Sequence, residues 1–158
     1  MGNIHPRFWG WVIGTGTPLG ALAEMLAAAM NPNLGGADHV ANYVERQVLD
    51  WCKTMLGYPE AASGLLVSGG SMANLIGLTC ALNDRAGFDV RREGLRAAPR
   101  RLTVYASQEA HSSVQKAVEL LGLGSESLRL IPVDDAFRVD VAAMAQAIRA
   151  DREAGHQP

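Results

Sequence analysis

Between residues 101 and 133 two short apolar runs, RLTVYAS (101–107) and SLRLIPV (127–133), flank the segment HSSVQKAVELLG (111–122). Both runs are too short for stable helices, and the first is β-branched and aromatic, as strands are. Between them Val114, Val118 and Leu121 recur at helical spacing, with Gln115, Lys116 and Glu119 on the opposite face. Two strands joined by a helix lie parallel, because only a long crossover returns the chain to the start of the sheet. Asp140 then reads as the cap of another helix that turns Val141, Met144 and Ile148 inward. Upstream, Leu65 to Val67 reads as a strand, leading through Ser68-Gly69-Gly70-Ser71 into a helix from about 71 to 85. That helix is apolar nearly all round and is expected to lie buried between layers. Strand and helix alternating three times imply an α/β fold, with a parallel sheet and right-handed crossovers.

The preceding third of the chain is helical. LGALAEMLAAAM (19–30) is built of strong helix formers behind Pro18, and Asn31, Pro32 and Gly35-Gly36 stop it. Val40, Val44, Val48, Trp51 and Met55 mark a second helix that Gly57 closes. GFDVRREGLRAAPRR (87–101) reads as a solvated basic loop or broken helix. A net charge of −2 over 158 residues offers no broad basic field for nucleic acid or acidic lipid. Cys52 and Cys80 form neither a disulfide framework nor a metal motif, which fits a reducing, cytoplasmic setting. MGNIHPRFWGW lacks the basic start and apolar core of a signal peptide, and Pro6 argues against myristoylation at Gly2. Residues 19–30 are too short, and with Glu24 too charged, to cross a bilayer, so a soluble protein is expected.

The Ser-Gly-Gly-Ser turn sits where ligands gather in open parallel sheets, at a strand's carboxyl end before a helix N-terminus. Bare backbone at Gly69 and Gly70 and the hydroxyl of Ser71 have the chemistry of a phosphate cradle. The plainer alternative is a tight turn capped by Ser71. A third reading is a serine hydrolase: GGSMA approaches a nucleophile elbow at Ser71, with Asp134 or Asp135 and His156 completing a triad in chain order. Against it, Ala73 replaces the last glycine and His156 lies in a polar terminus. A dinucleotide site at Gly14, Gly16 and Gly20 lacks the fingerprint spacing and the acid-ended strand that should follow. His111 opens the helix after the next strand, on the same sheet edge as the turn. HPRFWGW (5–11) reads either as a packing strap or as an aromatic wall over a pocket.

Taken together, HPRFWGWVIGTGTPLGALAEML, GLLVSGGSMANLIGL and SQEAHSSVQKAVELLG resemble, in order, the group II pyridoxal-phosphate-dependent amino-acid decarboxylases, the family of aromatic-amino-acid and glutamate decarboxylases. The resemblance runs along essentially the whole chain. It implies the aspartate-aminotransferase-like α/β fold, fold type I, with residues 1–58 leading into the large domain and 59–158 forming its first part. It implies pyridoxal 5'-phosphate as cofactor, with the phosphate received at Gly69, Gly70 and Ser71 and the pyridine ring faced by His111. Trp11 falls where the family places an aromatic beside the substrate. The implied activity is an amino-acid carboxy-lyase, homodimeric when complete. The family's histidine-lysine pair and ring-nitrogen aspartate have no counterpart: the two lysines, Lys53 and Lys116, lie within predicted helices. The chain is therefore expected to be a fragment without the Schiff-base lysine, inactive alone, in which the helix at 71–85 loses apolar cover because half of the sheet is absent. A non-catalytic half-domain or assembly partner is the alternative.

Overall fold

The computed structural model describes residues 5–10, 16–35 and 38–158. These fall into two compact units, Met1–Leu66 and Val67–Pro158.

The first unit is built from two helices. In α1 (Pro18–Met30) the Thr17 side chain accepts the N–H of Gly20, Pro18 occupies the first turn, and Asn31 ends the helix in the left-handed region at φ 38°. In α2 (Val40–Leu56) the stop is Gly57 at φ 68°, the conformation that favours glycine. Neither helix has a buried residue. The apolar run Leu65–Val67, expected as a strand, forms none and pairs with no described strand. Its Leu66 N–H is instead taken by the Glu45 carboxylate of α2 at 2.7 Å. An acceptor from a side chain replaces the ladder partner that a strand requires.

The second unit carries α3 (Gly70–Arg85), a single turn α4 (Val90–Glu93) followed by a 3₁₀ turn, β1 (Val104–Ser107), α5 (Ser113–Leu120), β2 (Leu128–Ile131) and α6 (Val141–Glu153). Strands β1 and β2 pair in parallel, Val104 against Leu128 through Ser107 against Ile131, with α5 as the crossover. The basic stretch 87–101 is thus the broken helix anticipated. Asp140 caps α6, accepting the Ala143 N–H at 2.9 Å. The core gathers Ala86, Ala117, Val118 and Ile131 with the polar Thr103, Ser113, Ser127 and Asp151.

Two expectations are corrected here. First, α3 does not lie buried between layers: it packs against α5, yet none of its residues is buried, the loss of cover expected of a chain that holds only part of the sheet. Its all-round apolarity shows which surfaces could be covered, and within the unit only one side is. Second, the C-terminal residues are not a loose polar tail. Gln157 donates its N–H to Arg101 O (2.8 Å), accepts from Thr103 N (2.9 Å), and forms a parallel bridge with Leu102. Its side-chain amide donates to Arg85 O. The backbone groups of an otherwise open edge are satisfied by this return.

Candidate functional site

Helix α3 begins one residue earlier than its serine suggests. Gly69 is the N-cap residue and makes no side-chain cap bond, so Ser71 stands inside the first turn and does not cap it. Gly69 has φ 172° and ψ 165°, an extended conformation open to any residue, and a Cβ at Gly69 or Gly70 would meet no atom within 4 Å. Neither backbone strain nor crowding by this chain asks for glycine at these positions. What the glycines leave is a clear approach to a helix N-terminus. The first intrahelical bond runs from Ala73 N–H to Gly69 O. Among the described residues, the N–H groups of Gly70, Ser71 and Met72 and the Ser71 hydroxyl have no acceptor or donor partner. Such an end, with its partial positive charge, suits an anion.

His111 lies in the loop between β1 and α5, and its placement is set by a side-chain chain that sequence reasoning missed. Its Nδ1 is 2.8 Å from Ser113 Oγ and 3.2 Å from the Ser113 backbone N. Ser113 Oγ in turn lies 2.9 Å from Asn74 Nδ2 of α3. Ser113 is 3% exposed, whereas His111 is exposed. Gly70 and Asn74 are four residues apart and share one face of α3. The glycine turn and the His111 loop, remote in sequence, are thereby joined within one unit. The signal available in the sequence was a lone Asn inside the apolar run MANLIGL. A polar side chain there needs a partner.

A second polar cluster lies between β1, β2 and α6. Asp151, 7% exposed, accepts the Tyr105 hydroxyl at 2.6 Å and both Arg129 Nε (3.0 Å) and Nη2 (2.7 Å). His156 Nδ1 lies 3.0 Å from the same carboxylate. The Arg129 guanidinium, against the opposing cost of burial, holds the Asp151 carboxyl well below the usual carboxylate range. Burial, then the bond to Asp151, pushes the Tyr105 hydroxyl up. The proposed hydrolase partners are placed elsewhere: His156 pairs with Asp151, and Asp134 accepts from the backbone N–H groups of Ala136 and Arg138 and from Arg138 Nε. Those bonds, the Arg138 backbone foremost, lower the Asp134 pKa.

Of the remaining landmarks, Trp11 and Gly14 lie outside the described residues. Trp9, two residues before Trp11 in sequence, is 92% exposed. Lys53 is fully engaged, with Asp50 at 2.7 Å and the carbonyls of Glu60 and Ala62 at 2.9 and 3.2 Å. Among the described residues no group of His, Cys, Asp and Glu could hold a metal ion, and no helix is long and apolar enough to cross a membrane.

Residues 4–158 match the pyridoxal-dependent decarboxylase conserved domain. An aromatic-L-amino-acid decarboxylase of Bacillus atrophaeus is 35% identical over 98% of this chain and 31% of its own length. An L-2,4-diaminobutyrate decarboxylase of Acinetobacter baumannii is 31% identical over 80% of this chain and 28% of its own length. In structure, mouse CSAD superimposes with a TM-score of 0.88 at 26% identity, over 99% of this chain and 32% of that one. The Oryza sativa TDC solved with PLP and tryptamine gives 0.74 at 28% identity, over 90% and 31%. The chain thus spans about a third of the length of the relatives it matches. The likeness bears out the fold type I α/β architecture expected from the sequence, of which β1, β2 and their flanking helices are a part.

Proposed function

We propose that this chain, which belongs to the pyridoxal-dependent decarboxylase family, supplies the phosphate anchor and the ring-facing histidine of an enzyme that removes carbon dioxide from an amino acid. Pyridoxal 5'-phosphate is the family's cofactor, and when bound it supplies an electron sink for the carbanion left by decarboxylation. One observation carries the reading: the unpartnered, glycine-led N-terminus of α3 is tied by Asn74 and Ser113 to His111.

The residues present fit that group. Gly69 and Gly70 let a phosphate approach the backbone, and the N–H groups of the first turn with the Ser71 hydroxyl donate to it. His111 would present a flat imidazole to the cofactor ring and so help to hold its orientation. Trp11 is assigned by resemblance alone to the wall of the substrate pocket. In this reading residues 59–158 form the first part of the cofactor-binding large domain, and the complete enzyme is a cytoplasmic homodimer. A nucleophilic role for Ser71 is not favoured, since neither His156 nor Asp134 is bonded toward it.

The test is a titration with pyridoxal phosphate of the protein and its Ser71→Ala variant. Loss of a hydrogen bond to a charged group is expected to weaken binding by about 1.5–3 kcal/mol, roughly tenfold to 150-fold in Kd. An unchanged Kd makes the turn purely structural. Labelling of Ser71 by a fluorophosphonate probe would overturn the reading in favour of a nucleophile.

A further inference from the structure

We infer that Asn74 and Ser113 are positioning residues that hold the neutral His111 ring in one tautomer, with the proton on Nε2. The assignment follows from donors alone. The Ser113 backbone N–H, 3.2 Å from His111 Nδ1, can only donate, so Nδ1 carries a lone pair and the ring proton sits on Nε2. Ser113 Oγ, 2.8 Å from the same nitrogen, must then donate its hydroxyl hydrogen to it. That leaves the Ser113 oxygen as an acceptor, and Asn74, 2.9 Å away, must turn its NH₂ and not its carbonyl toward it. A single backbone N–H thus orients the whole series from Asn74 through Ser113 to His111. With Ser113 3% exposed, water does not readily substitute for either partner. The consequence is a ring whose Nδ1 edge is anchored to α5 and α3 and whose Nε2–H edge is the one left to donate.

This inference rests on the proposed function for its purpose, because a fixed ring plane and a fixed donor edge matter only if His111 faces a ligand. The geometry itself does not depend on that reading. It also gives Asn74 a task that its place in an apolar helix does not otherwise explain.

The experiment labels the protein with ¹⁵N-histidine and records the imidazole nitrogens of His111 at about pH 8.5, two above the ordinary histidine value. His111→Asn assigns the signals by their disappearance. The expected result is one protonated nitrogen at Nε2 and one unprotonated at Nδ1, without averaging. Asn74→Asp keeps the size but reverses the polarity: its carboxylate competes for the Ser113 hydroxyl hydrogen and leaves Nδ1 held by the Ser113 backbone N–H alone, at 3.2 Å. This variant and Ser113→Ala, in which that weaker backbone donor alone remains, are expected to mix the two tautomers, while Ser113→Thr, which keeps the hydroxyl, retains the single one. Averaged tautomers in the unsubstituted protein overturn the inference whatever the variants do, and so does an Asn74→Asp spectrum identical to the parent's. Adding pyridoxal phosphate then reads the cofactor assignment separately. Unmoved His111 signals would overturn the ring-facing role while leaving the tautomer series in place.

Discussion

The two units of this chain form helices equally well but hold them differently. In Met1–Leu66, α1 is started and stopped by local signals and α2 is stopped by one, and Leu19, Met25, Met55 and Leu56 remain 61–79% exposed, with no buried residue in either helix. Among the described residues, all those that are buried lie in Val67–Pro158, and half of them are polar. Caps and propensity are therefore sufficient to define a helix, but not to give it an interior. In the second unit the interior depends on groups that meet across long sequence separations, Tyr105 and Arg129 with Asp151, Asn74 with Ser113.

The sharpest way to break this contrast is Asp151→Ala. It strands a part-buried guanidinium and removes the acceptor of Tyr105, and is expected to destabilise the second unit by about 3 kcal/mol in chemical denaturation. Acid should mimic it. A carboxyl whose pKa is depressed in the fold stabilises above its unfolded value and loses that contribution as pH falls toward the folded one, so tertiary circular dichroism should decay below about pH 4. The raised Tyr105 hydroxyl adds the alkaline limit, with stability lost as pH rises past about 10. Denaturation midpoints insensitive to both changes would mean that the cluster does not organise this unit.

A smaller effect separates the apolar residues. Val118, with no exposure, is expected to cost about 2 kcal/mol as Val118→Ala, whereas Met25→Ala in α1, 61% exposed, should stay within about 0.5 kcal/mol. Equal losses at the two positions would show that α1 has an interior of its own. The smallest test compares caps. Thr17→Ala and Asp140→Ala each remove one cap bond, worth about 1 kcal/mol. The second should shift the cooperative unfolding midpoint, and the first should lower far-ultraviolet helicity without moving it.

This division also explains what could be read before the structure. The bounds of α1, α2 and α6 follow from Pro18, Gly57 and Asp140, all of which act within a turn of themselves. The parallel pair follows from two short runs bracketing α5. The missing strand at 65–67 was not legible, because it depends on whether a partner surface is present and periodicity records only readiness for one, whereas the exposure of α3 followed from reading the chain as part of a larger sheet. At the candidate site, the glycine turn and His111 announce themselves by residue type. Asn74, Ser113 and Asp151 do not, since an Asn, a Ser or an Asp gains its meaning from a neighbour dozens of residues away.

The return of Gln157 to Arg101 and Thr103, and of its side chain to Arg85, closes loops of 54 and 72 residues. In free energy such closure is mild, since doubling a loop adds only about 0.6 kcal/mol. In time it is not. At a synthesis rate of about 5–20 residues per second, roughly 4 to 15 s separate the emergence of α3 from that of Gln157. For that interval the Arg85 carbonyl at the end of α3 and the backbone edge at Arg101 and Thr103 await their partner, so this seal is among the last contacts of the unit to form.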